Sequence, residues 1–130
     1  MFEDGEESRD FVHVEDVTDA LLAAVVVDKA ANTAVNVGSG IATSVRTVAE
    51  ELSRAFGKTP NVVVTGQFRI GDIRHNFADI SRLQNLLGVT PKVSLAQGLQ
   101  RFANWVSSQP LPEDLLEKAN QELRERKLMN

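Results

Sequence analysis

Apolar positions recur along this chain at helical spacing in four stretches, and turn residues mark where each stretch stops. Val17, Ala20, Leu21, Ala24 and Val25 keep an i, i+3, i+4, i+7, i+8 rhythm, which predicts a helix with one apolar face. Asp16 stands ahead of it as a cap, with Asp19 three residues on as a partial capping box. Val45, Val48, Ala49, Leu52, Ala55 and Phe56 repeat the pattern; Thr43 or Ser44 is placed to cap it and Gly57 to close it. A short helix is expected from Asp79 or Ser81 to Leu87, stopped by Gly88. Ser94 opens the next, whose stripe is Leu95, Leu99, Phe102, Ala103 and Val106. A last helix follows Pro110 and Pro112, with Leu115, Leu116, Ala119 and Leu123 turned inward. On its outer side Asp114–Lys118 and Glu122–Arg126 have ion-pair spacing, each worth ~0.2–0.5 kcal/mol on an exposed helix.

Between the helices the pattern turns extended. Phe11, Val12 and Val14 predict a short strand, and so do Ala34 to Val37 and Asn61 to Thr65. Helices separate these strands, which favours parallel or mixed pairing in a small sheet with two open edges. The expected class is α/β: a mixed domain with a small sheet and four to five helices. The Gln109–Pro112 stretch reads as a hinge, dividing a body at 1–109 from a C-terminal helix at 110–130.

Composition narrows the function classes. A chain of 130 residues can bury a modest core. Its net charge of −4 argues against a nucleic-acid surface, and Arg124-Glu125-Arg126-Lys127 reads as a solvated helix face. Without cysteine there is no disulfide, thiolate chemistry or Cys-ligated zinc, and His13 and His75 lack metal-ligand spacing. The longest apolar run, Ala20 to Val27, is too short to span a bilayer, and the acidic N-terminus is unlike a signal peptide. A cytoplasmic setting is the expectation, with no membrane and no nucleic-acid partner.

Two arginine-bearing segments carry the candidate chemistry. In Arg69-Ile70-Gly71-Asp72 the glycine permits a tight turn, so the arginine and aspartate can converge on one ligand. A guanidinium makes bidentate, charge-assisted bonds to phosphate oxygens. A carboxylate on the same loop suits ribose hydroxyls. The second segment is Arg9-Asp10-Phe11-Val12-His13-Val14-Glu15-Asp16. Here His13 alternates with Val12 and Val14 on the predicted strand and reads as a satisfied structural histidine. Arg74 and His75 read as exposed loop residues or internal hydrogen-bond donors. Asn36-Val37-Gly38-Ser39-Gly40 is glycine-rich, but it lacks the dinucleotide-binding spacing and an acidic ribose ligand downstream, so it reads as a shaping turn.

These segments resemble the C-terminal, substrate-binding part of the NAD-dependent epimerase/dehydratase family, the extended short-chain dehydrogenases/reductases. Phe2 to Val17 is similar to the family's Asp-Gly-x-x-x-Arg-Asp-Phe-Val-His-Val-x-Asp-Val, and Arg69 to Ser81 to its Arg-x-Gly-Asp segment followed by Ala-Asp-Ile-Ser. Lys92 to Leu99 resembles its Ser-Leu-x-x-Gly-Leu helix entry. The Gly-Asp-Ile-Arg-His wording looks most like the deoxythymidine-diphosphate-rhamnose 4-epimerase branch. The resemblance implies that Arg9 and Arg69 grip a nucleotide-sugar diphosphate and that Asp72 takes the ribose. It implies a parent enzyme that moves a hydride from a sugar carbon to NAD and back, using a Tyr-x-x-x-Lys pair. This chain contains no tyrosine. It therefore reads as the substrate-binding portion of the fold lacking the Rossmann domain, with no catalytic residue and no cofactor of its own, NAD belonging to the parent. The expected partners are the nucleotide-sugar and the parent's dinucleotide-binding domain, with self-association when that domain is absent. The alternative is a stand-alone, non-catalytic binding or oligomerisation module derived from the family.

Overall fold

A computed structural model describes residues 3–111 and 113–129. Two short strands, β1 (Ser8–Asp10) and β2 (Ala42–Ser44), pair antiparallel with Arg9 opposite Thr43. Around them run α1 (Val14–Val26), α2 (Val45–Ala55), α3 (Ser81–Leu87), α4 (Leu95–Ser107) and α5 (Leu116–Glu125). The mixed α/β class with a small sheet and five helices holds. The sheet itself is different from the expected one.

None of the three predicted stretches is a strand. Phe11 to His13 is the extended lead into α1, while the ladder lies one step earlier, in the polar Ser8–Asp10. Val35 and Val37 pack on the core cluster instead of joining the ladder. Val63 and Val64 leave their side chains largely exposed, so β-branched character there meets no half-buried face that would reward pleating. The sheet is antiparallel because its partners are β1 and the segment leading into α2, a pairing that local periodicity does not reveal.

The core is small. Leu83 is fully buried, with Ala20 and Leu87 beside it and Ala23, Val27, Val35, Val37, Ile80 and Val89 around them. Thus α1 turns Asp16, Ala20 and Ala23 inward, followed by its C-cap Val27, not the predicted Leu21 and Val25; Val25 is 85 % exposed and Leu21, Leu22 and Val26 are exposed with it. Asp16 is not the cap. His13 is, its Nδ1 accepting the Glu15 N–H at 3.2 Å. Asp16 is buried, and its carboxylate accepts the N–H groups of Lys92 (2.8 Å) and Val93 (3.2 Å), tying α1 to the entry of α4.

Ser44 caps α2 and Ser94 caps α4, the latter with a full capping box through Gln97. Residue 80 occupies the cap position of α3, while the Asp79 carboxylate accepts both the N–H and the Oγ–H of Ser81. On α4, Ala103 is buried and Leu99 and Val106 are half-buried, but Phe102 and Trp105 face solvent. On α5 only Leu123 of the four predicted inward residues is even half-buried. The Asp114 carboxylate accepts the Leu116 N–H at 2.9 Å instead of reaching for Lys118. The predicted hinge ends at Pro112, which lies outside the described residues.

Candidate functional site

The site is built around β1. One edge of this strand pairs with β2; the other takes residues 74–76. Ser8 N–H donates to the Arg74 carbonyl (2.9 Å), Asn76 N–H donates to the Ser8 carbonyl (3.1 Å), and Ser8 Oγ lies 2.9 Å from His75 Nδ1. Residues 74 and 75 are thus internal hydrogen-bonding partners. The Arg74 guanidinium also spans Glu3 and Asp4, at 2.6 Å each, and its bond holds the Asp4 carboxyl below the ordinary range.

Docking this segment brings the preceding turn over Arg9. Asp72 N–H donates to the Arg69 carbonyl at 3.3 Å and Gly71 has φ +84, the four-residue turn that requires a residue free to adopt positive φ. Its far side is tied to the C-terminal segment: Ile70 N–H donates to the Leu128 carbonyl at 2.9 Å, and Arg69 bridges Met129. The turn delivers the Asp72 Oδ1 to Arg9 Nη2 at 2.6 Å. Two of the three residues singled out from sequence therefore meet directly. Arg69 heads the same turn, with an exposed side chain.

Arg9 also forms one wall of a cleft of about 280 Å³, completed by Asp10, Asn36, Asn76, Phe77 and Ala78. Neither Arg69 nor Asp72 is part of that wall. Sequence reading missed Asp10, which organises the cleft. One carboxylate oxygen accepts the Ser39 N–H and Oγ–H, both at 2.6 Å; the other accepts the N–H groups of Gly40 (2.9 Å) and Ala78 (3.2 Å). Partial burial raises its proton affinity, but these bonds outweigh it and hold the carboxyl below its ordinary 3.8. No local signal marks it, because Asp10 lies in a strand that only long-range pairing creates.

Gly38 allows this convergence. A Cβ there would lie 2.6 Å from both the Ala78 Cβ and the Asp10 Oδ2. The same geometry settles the glycine-rich turn. Its Ser39 and Gly40 amides, which in a phosphate loop would face an anion, already face a carboxylate. The turn does not fit a dinucleotide's phosphates.

A second, apolar cleft of about 460 Å³ lies between the start of α1 and α4, lined among others by Phe11, His13, Leu99, Phe102 and Trp105. His13 packs its ring edge against Gly98 here, so its capping and packing roles account for it.

The sequence profile of the NAD dependent epimerase/dehydratase family matches residues 1–38. The dTDP-L-rhamnose 4-epimerase of Burkholderia thailandensis is 36 % identical over 109 residues, covering 84 % of this chain and 30 % of its own length. The chain is therefore similar to part of the NAD-dependent epimerase/dehydratase family. The fold agrees. The UDP-glucose 4-epimerase of Thermotoga maritima, solved with UDP-glucose, superposes with a TM-score of 0.75 at 34 % identity, over 82 % of this chain and 34 % of the enzyme. The UDP-glucuronic acid 4-epimerase of Bacillus cereus, solved with UDP-glucuronic acid and NAD, gives 0.70 at 27 % identity over the same shares. The chain spans about a third of the length of the relatives it matches. It represents a part of the extended short-chain dehydrogenase/reductase fold. Among the described residues, no helix is long and apolar enough to cross a membrane.

Proposed function

We propose that this chain is the portion of a nucleotide-sugar epimerase that grips the substrate's diphosphate, and that it does no chemistry by itself. The observation that carries the reading is the meeting of Arg9 and Asp72 above a polar cleft. A guanidinium with two oriented nitrogens suits a diphosphate, and the neighbouring carboxylate suits hydroxyls of the attached ribose. Arg69, on the same turn, is the second cation. Relatives solved with UDP-sugars support the ligand class. Thymidine diphosphate should bind at millimolar strength, about −4 kcal/mol, because half a cleft leaves the ligand solvated. Its amide shifts should cluster near positions 9 and 69–72. An Arg69→Ala variant with the same shifts and midpoint would remove Arg69 from the site.

The non-catalytic reading rests on the absent tyrosine and on a glycine turn filled by Asp10. Calorimetric titration with NAD is expected to show no binding tighter than ~100 µM, about −5.5 kcal/mol. A tighter constant would mean that the chain carries a cofactor site of its own.

The partner follows from the exposed apolar surface. Leu21, Leu22, Val25 and Val26 on α1, and Phe102 and Trp105 lining the second cleft, are exposed apolar residues suited to burial against the dinucleotide-binding domain of the parent. Alone, the chain should self-associate: sedimentation should show mass rising with concentration, and an apolar dye should fluoresce on binding. A monomer at millimolar concentration that binds no dye would favour the stand-alone module.

A further inference from the structure

We infer that Asp72 is an internal competitor for the anion site at Arg9, so that a bare diphosphate must displace it while a nucleoside diphosphate gives the released carboxylate new partners. The inference rests on the diphosphate-binding reading above and adds to it a means of discrimination.

The argument is an inventory of the Arg9 donors. Nη1 carries two N–H groups, and two backbone carbonyls take them: Ser8 at 2.8 Å and Arg74 at 3.1 Å. Those acceptors belong to the β1 edge and cannot leave without undoing the alignment of residues 74–76 along β1. Nη1 is therefore committed to the fold. An oxyanion that chelates this guanidinium has one edge left, Nε with Nη2, and Asp72 holds Nη2 at 2.6 Å. Nη2 has two N–H groups and Asp72 takes one of them, so a phosphate on this edge must share the nitrogen with a carboxylate of like charge.

The pair is built to open. Arg9 is 29 % exposed and Asp72 49 %, so water can solvate both when they part, and no buried charge is stranded. Asp72 closes a turn that contains a glycine, and Arg9 is fixed from behind by the two carbonyls. The carboxylate is the movable member. Once displaced it is an acceptor without a cation, a few ångströms from where the phosphate lies. Inorganic pyrophosphate offers it only like charge. A nucleoside diphosphate offers vicinal or single hydroxyls on the sugar next to the phosphates. The turn thereby penalises phosphate without sugar and relieves the penalty when both are present.

The test compares two probes, inorganic pyrophosphate and thymidine diphosphate, by amide shift titration of the full chain and of Asp72→Asn. The asparagine keeps the shape of an exposed residue and removes the competing charge. Pyrophosphate should bind Asp72→Asn about two- to fivefold more tightly, the range of an exposed ion pair. Thymidine diphosphate should gain less or lose. In an Arg9→Ala background the pyrophosphate gain should vanish. A gain that persists there would reduce Asp72 to general repulsion and overturn the inference. Pyrophosphate binding that is unchanged or weaker in Asp72→Asn would overturn it too, making Asp72 a support for Arg9. If neither probe moves the signals near Arg9 in either protein, the diphosphate reading itself falls, and the inference with it.

Discussion

Asp10→Ala should destabilise the chain by about 2–4 kcal/mol, because a charged hydrogen-bond acceptor is lost and its donors are left facing a void. The donors are the Ser39 amide and hydroxyl and the Gly40 and Ala78 amides. Denaturant unfolding measures the loss directly. The same variant should also disorder the cleft, since residues 38–40 and 78 are positioned by that carboxylate. A fall of less than ~0.5 kcal/mol would mean that water replaces Asp10 at little cost. The pH dependence has a definite sign. The Asp10 carboxyl is held below its ordinary 3.8 in the folded chain, so the stability it contributes is fully present above that value. It is lost as the pH falls through the lower folded value. Asp10→Asn should flatten that acid limb while leaving the rest of the pH profile in place.

Leu83→Ala should be about as damaging, at about 3 kcal/mol, the middle of the range for truncating a fully buried leucine. Leu83 has no exposed surface, and the core around it is thin, with Ala20 and Leu87 the other buried members of its cluster. For a small domain that loss is a large share of a total near 5–15 kcal/mol. Thermal unfolding should show a midpoint many degrees lower, or no cooperative transition. A shift within a degree or two would show that neighbouring chains, through self-association, supply the stability instead.

How much was legible follows from how local each feature is. The helices α2, α3 and α4 could be read because the caps, with an apolar stripe for α2 and α4 and a closing glycine for α2 and α3, lie close together in the sequence. The facing of α1 could not. Its most apolar positions, Leu21, Leu22, Val25 and Val26, point outward, and its buried side includes a charged Asp16 whose partners are 76 and 77 residues away. Exposed apolar residues there fit a chain that spans about a third of its relatives. The sheet was misplaced because Ser8–Asp10 is polar and its partner strand precedes α2; only long-range pairing makes either a strand. At the site, Gly71 announced its turn, and the family motifs pointed to Arg9, Arg69 and Asp72. That Arg9 and Asp72 hold each other was not readable, because it depends on residues 74–76 lying along β1.

The convergence on β1 also sets an order of events in folding. The bonds that build the cleft close gaps of 29 residues (Ser39 to Asp10), 65 (Arg74 to Arg9) and 68 (Ala78 to Asp10), whereas the helical caps close gaps of two or three. Each long closure costs chain entropy before any contact repays it. Helices α2 and α4 can form early from local signals, and the Arg9 cleft can appear only after both distant segments have docked on the same three-residue strand. The Arg9 cleft is therefore a late-assembling feature of this chain, and its amides should be among the first to exchange when the fold loosens.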